Sequence, residues 1–409
     1  MRFRLLVSCA WFFLVLFSYY VLKPVRDALA TETRLFGPLY LATFLAVCAA
    51  LPLYWRIVAR TTRRQLVLGV YQFFVACLIV FAVLLARGHG DAAWLRSAFF
   101  VWVSVFNLYV VAVFWSVMAD LFSAEEGKTW FGAVAAAGTT GSIVASLVGR
   151  FLAERLGVAW LLVVAITALE LSIVLAWLAL RVEPRGGGLS SNSNSKSAPP
   201  SSGSLLAGLR TVLASRYLLM ICAFTAIGKF AATFVYNNFQ HALRAQGLGV
   251  AERTELFSTM NFYSQTGTLA FQAVLAAAMM RFAGVGATLA AACGVIVGLF
   301  AWLTIDAGLW PLMVAKVVQE IVGYGLLVPA QQVLFTVVSR TEKYESKAFI
   351  DTVVFRGSDV AAANVCDALG RFSVSAAALA ILPLAAAWMA LGAWLGREQA
   401  ARSQLADGK

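Results

Sequence analysis

Apolar stretches long enough to cross a bilayer recur from Leu5 to Leu395, broken by short polar loops and by no large hydrophilic region. A membrane helix needs about 20 such residues. Apolar runs between charged punctuation place spans at 5–28, 36–55, 65–87, 97–119, 130–153, 157–182, 215–241, 254–281, 284–305, 309–338, 347–370 and 374–396, about twelve in all. With 61% hydrophobic and only 13% charged residues, the chain cannot clothe a soluble surface; its solvent is lipid. No soluble catalytic domain fits, so an enzyme is not expected.

A formal charge of +12 could suggest a nucleic-acid partner, but the cations collect at span ends. Of the 32 Lys and Arg, roughly 19 fall on the side of the N-terminus, roughly 8 opposite and roughly 5 within spans. That bias predicts a multi-pass protein of a bacterial inner membrane with both termini cytoplasmic, and no nucleic-acid partner. The six cysteines all sit in apolar stretches and read as small buried hydrophobes. Two histidines, His89 and His241, are too few for a histidine metal site or proton chain, and no phosphate-binding glycine loop with its lysine occurs. Neither a metal nor a cofactor is expected, so transport would draw on a gradient or on exchange.

Between the sixth and seventh spans, 185–204 contains three glycines in a row, a Ser/Asn run and Pro-Pro, a linker composition that divides the chain into halves at 1–184 and 205–409. The halves look duplicated. Val21-Leu-Lys-Pro-Val-Arg-Asp-Ala-Leu29 on the first span aligns with Val235-Tyr-Asn-Asn-Phe-Gln-His-Ala-Leu243 on the seventh, and Glu126-Gly-Lys128 before the fifth with Glu345-Ser-Lys347 before the eleventh. An all-α transmembrane protein of two six-helix bundles around a central cavity is the major-facilitator plan, which requires only a monomer.

Charges kept inside spans each cost about 2.5–3.5 kcal/mol, so they usually face a cavity or pair. Lys23, Arg26 and Asp27 gather at the end of the first span, either as an anion clamp or as a charged helix end. Lys229 has no partner in its own turn and must reach a carboxylate on another span, a cavity or an anionic substrate. Arg356 and Asp359 are three apart: an internal ion pair or a binding site. Lys316 and Glu320, four apart, can neutralise each other, though Glu320, Asp351, Asp359 and the lone Glu170 remain proton or ion-coupling candidates. Asp120, Lys128 and Lys347, at the cytoplasmic ends, read as gating residues. Ala137, Gly141, Ala145 and Gly149 form a small-residue stripe for close helix packing.

Ser18-Tyr-Tyr-Val-Leu-Lys-Pro-Val-Arg-Asp27, Phe114-Trp-Ser-Val-Met-Ala-Asp120 with Lys128, and Ser346-Lys-Ala-Phe-Ile-Asp-Thr-Val-Val354 together resemble the nucleotide (ATP/ADP) transporters of plastids and intracellular bacteria. By that resemblance Arg26 stands where the family has a pocket lysine and Asp27 is the aspartate after it. The family's pocket glutamates are replaced by Val113 and by the neighbourhood of Thr233, and its lysine on the eleventh span by Asp359. The implied activity is antiport of a nucleotide or other small organic anion, held by Lys23, Arg26, Asp27, Lys229, Tyr236, Asn237 and Arg356. A proton-coupled permease or exporter of an unrelated solute is the alternative.

Overall fold

Long apolar runs wind into long helices, even around a proline, as at Pro24 and Pro383, and polar residues end them. The computed structural model describes residues 2–122, 124–181, 205–369 and 373–407; the linker expected at 185–204 lies outside them. The first half holds α1 (Arg2–Ala30), α2 (Phe36–Arg60), α3 (Arg63–Ala86), α4 (Ala93–Leu121), α5 (Ala124–Leu156) and α6 (Val158–Arg181). Thr62 starts α3 with a reciprocal cap to Gln65, and Gly157, at φ 80°, supplies the left-handed turn between α5 and α6.

The second half begins with α7 (Leu205–Ala214), a short amphipathic helix the apolar reading does not foresee, followed by α8 (Arg216–Arg244). Next come α9 (Val250–Ala270), α10 (Ala277–Phe282), α11 (Gly284–Ile305), α12 (Leu309–Val322), α13 (Val328–Leu334), α14 (Arg340–Phe349), α15 (Phe355–Leu369) and α16 (Val374–Asp407). Three of these junctions, Phe271–Ala276, Gly323–Leu327 and Ile350–Val354, are π turns inside continuous helices. A π turn frees backbone groups from the helical ladder, and Gln272 uses one, donating to the Tyr324 carbonyl at 3.0 Å. Counting α9–α10, α12–α13 and α14–α15 as single rods, the described residues form twelve helical rods plus α7. Among the described residues, nine helices are long and apolar enough to cross a membrane. The other three rods are α2, whose described apolar stretch is short, and the polar α9–α10 and α14–α15.

The described residues gather into two compact units, one within Met1–Arg34, Leu41–Gly188 and Gln246–Thr266, the other within Leu35–Tyr40, Leu189–Ala245 and Gly267–Lys409. Lipid is as apolar as leucine, so each unit is held by close packing and hydrogen bonds rather than by expulsion of water. In the first, the fully buried Trp11 lies edge-on to Phe114 at 4.9 Å. A Cβ on Gly141 would come within 2.3 Å of the Phe13 carbonyl oxygen, and one on Gly149 within 2.4 Å of Ser258 Oγ, so the stripe on α5 is what lets α1 and α9 approach. In the second, α11 and α16 meet backbone to backbone at Gly286 and Gly396, and Trp388 Nε1 donates to the Phe224 carbonyl at 2.8 Å.

The duplicated Glu-x-Lys motifs play parallel parts. Arg4 at the start of α1 donates to Glu126 at 3.0 Å, and Thr211 on α7 donates to Glu345 at 2.6 Å. In each unit this glutamate ties a motif helix to the segment that opens that half.

Candidate functional site

Each unit carries a polar cluster that joins an apolar helix, α1 or α8, to one of the polar rods, α9–α10 or α14–α15. In the first, Lys23 Nζ donates to Asn261 Oδ1 on α9 at 2.8 Å and stands 5.4 Å from the centre of the Tyr20 ring. Arg26 places both Nε and Nη2 on Asp27 Oδ1, at 2.9 and 2.7 Å, with its guanidinium 4.9 Å above Phe100. Asp27 is buried. Further along the same unit Arg253 of α9, itself buried, forms an ion pair with Glu32.

The partner of Lys23 comes from a face of α9 that sequence reading passed over. Thr254, Ser258, Asn261, Gln265 and Thr268 are all buried and fall at alternating four- and three-residue steps. That is one helical stripe, polar where a lipid-embedded helix would be apolar. The spacing was the signal. Ser142 on α5 donates to Gln265 at 3.3 Å, while Asn261 Nδ2 and Ser264 Oγ, both buried, bond to no group among the described residues. Such atoms are expensive to leave unpaired in a low-dielectric interior.

The second unit centres on Asp359 of α15. Its Oδ1 accepts a 2.5 Å hydrogen bond from Thr233 Oγ1 and lies 3.3 Å from Lys229 Nζ, both on α8, while Oδ2 is 3.7 Å from Arg356 Nη1. The carboxylate is 3% exposed and the two cations 22% and 26%. Lys229 Nζ also sits 4.3 Å from the centre of the Phe355 ring. Two cations, one hydroxyl and one carboxylate leave the cluster a net positive charge with an aromatic wall.

Beside it on α12, Lys316 is paired with Glu320 and lies 5.7 Å from the Tyr236 ring, whose hydroxyl accepts from Gln240 at 2.7 Å. Asn237 is fully buried, with neither amide atom bonded to a nitrogen or oxygen among the described residues. Asp367, at the end of α15, accepts from the backbone N–H of Phe36 at 3.2 Å and of Gly37 at 2.7 Å, and so caps α2.

The remaining expected residues are dispersed. Lys347 donates to Gln332 at 2.5 Å, and Asp351 is exposed within the third π turn. Glu170 belongs to neither cluster: it accepts from Gln72 of α3 at 3.1 and 3.3 Å on the outward side of the first unit. The side chains of Asp120 and Lys128 lie outside the described residues. No group of His, Cys, Asp and Glu among the described residues could hold a metal ion.

No family model and no curated protein matches this chain. Solved structures do. The nucleoside transporter NupG superposes with a TM-score of 0.66 at 11% identity, over 96% of this chain and 98% of that one. The POT family transporter PepTSo gives 0.63 at 11% identity, over 100% and 99%. A bacterial homologue of the human lysosomal transporter Spinster, inward-facing and unoccupied, gives 0.57 at 16% identity, over 97% and 92%. The fold is that of the major-facilitator transporters. At these identities the likeness extends to the architecture across the whole chain.

Proposed function

We propose that this protein is a secondary transporter that works by alternating access and carries a small organic anion. One observation carries the reading: Lys229 and Arg356 both converge on Asp359, so two cations share one buried carboxylate. An anionic group entering beside them takes over contacts that Asp359 holds at rest, and Phe355 offers a ring face next to the charge. In the other unit, Lys23 and Arg26 again outnumber Asp27. Tyr20 and Tyr236 are rings on which a base could stack, in keeping with the resemblance to nucleotide exchangers. On this reading each cycle needs one chain, the membrane is a bacterial inner membrane with both termini cytoplasmic, and Asp120, Lys128 and Lys347 act in gating.

Proteoliposomes preloaded with ADP and supplied with labelled ATP, then with other nucleotides and small organic anions, test it. Uptake that depends on the internal counter-substrate and falls about tenfold or more in Arg356→Ala and Lys229→Ala supports the reading, since a charge-assisted contact is worth about 1.5–3 kcal/mol. Folded protein with no anion uptake overturns it. A second reading, a proton-coupled permease or exporter, is favoured by Asp359 itself, an acid standing where the nucleotide exchangers carry a lysine. It requires uptake that follows an imposed pH gradient and loses that dependence in Asp359→Asn.

A further inference from the structure

The Gln72–Glu170 pair faces away from the protein at the level where a membrane offers only hydrocarbon. Glu170 lies midway between Val158 and Arg181, about 17 Å from either end of α6 at 1.5 Å per residue, and Gln72 lies about 13 Å along α3 from Arg63. Neither side chain is long enough to bring its polar end to the headgroups. Around them the surface is apolar, with Phe73 and Leu171 exposed. Gln72 Nε2 donates to the carboxyl, but Gln72 Oε1 accepts no hydrogen bond among the described residues. Lipid tails can supply neither donor nor acceptor.

We infer that this α3–α6 face is the contact surface for a second copy of the same chain, joined about a two-fold axis through the Gln72–Glu170 pair. The face is self-complementary. It presents an amide with a free acceptor and a second N–H beside a carboxyl with unused acceptor positions, so rotation by half a turn sets the amide of one copy against the carboxyl of the other. Polar side chains that bond across helices are a recognised source of association in lipid. Backbone access is also present: Gly69 has open space where a Cβ would stand, and Gly69 and Ala76, one heptad apart, are exposed on either side of Gln72. The inference does not depend on the proposed substrate, because neither residue belongs to the two polar clusters and the transport cycle needs only one chain.

Single-molecule photobleaching of labelled protein in liposomes, over a range of protein-to-lipid ratios, tests it. Wild-type protein is expected to show two-step bleaching above the level of random co-capture. The double variant Gln72→Leu/Glu170→Leu should shift the transition to at least tenfold higher protein density. Ala76→Phe, which blocks approach without touching the polar pair, should do the same. Melting temperature in detergent, unchanged in both, establishes that the variants fold. Single-step bleaching of the wild type at every density overturns the inference, and so does pairing that survives the double variant.

Discussion

Lys229 Nζ and Asp359 Oδ1 stand 3.3 Å apart, joining α8 to α15 through a carboxylate that is almost wholly buried. Such a pair is weak evidence of stability while intact, because desolvation opposes the attraction, but removing one partner strands the other. Asp359→Asn therefore leaves Lys229 and Arg356 side by side without a counter-charge. Because both cations are partly solvated, the expected loss is about 2 kcal/mol, below the range for fully buried pairs. Adding Lys229→Met should recover part of it. A double-mutant cycle read from thermal unfolding in detergent should give a coupling of about 1 kcal/mol or more; additive single effects would contradict the pairing.

The glycines of α5 separate into two kinds. At Gly141 an added Cβ meets a backbone oxygen, which cannot move aside, whereas at Gly132 it meets nothing within 4 Å. Gly141→Ala should therefore lower the yield of folded protein and its melting temperature sharply. Gly132→Ala should be neutral or stabilising by up to about 1 kcal/mol, through the lower entropy of the unfolded helix. Equal melting temperatures for the two variants would show that the close approach of α1 to α5 is not limiting.

Much of this architecture was legible from the chain itself, because hydrocarbon admits so few solutions. That Lys229 must reach a carboxylate on another helix, a cavity or an anionic substrate followed from the cost of a lone cation in a span, and Asp359 was already among the intramembrane acids; which of the three it meets needed three-dimensional structure. The Asn261 face of α9 was readable too, since its polar residues keep a helical spacing. The direction of Glu170 was not. In a membrane the protein-facing and lipid-facing sides of a helix are equally apolar, so the amphipathic signal that orients helices in soluble proteins is missing from α6. The same limit hid α7, which is short and whose contact with Glu345 joins distant parts of the chain.

Arg253 and Glu32 should respond unequally to mutation. The guanidinium side chain is 4% exposed and the carboxylate 32%. Glu32→Gln leaves a buried cation without its partner and should cost about 3 kcal/mol. Arg253→Met removes the buried charge and leaves an acid that water can reach, so it should cost less. Melting curves of the two single variants decide it, and a larger loss in Arg253→Met would reverse the assignment.

Asp367 does the work of a helix cap from a distance. The first N–H groups of any helix have no partner within it, and α2 begins at Phe36, whose N–H, with that of Gly37, points at the Asp367 carboxylate. A negative charge there also meets the positive end of the helix dipole. Gly37 keeps the approach open, because a Cβ would fall 2.6 Å from Asn364 Oδ1 and 3.1 Å from Asp367 Oδ2. Asp367→Ala should cost about 1–2 kcal/mol and speed hydrogen exchange in the first turn of α2, while leaving exchange at the far end of that helix unchanged. Asp367→Asn, which keeps an acceptor but loses the charge, should fall between. Gly37→Ala should copy Asp367→Ala by pushing the carboxylate away, although it leaves every acceptor in place. Exchange in the first turn of α2 that is the same in all three variants and the wild type would mean that this end of the helix is held by other contacts.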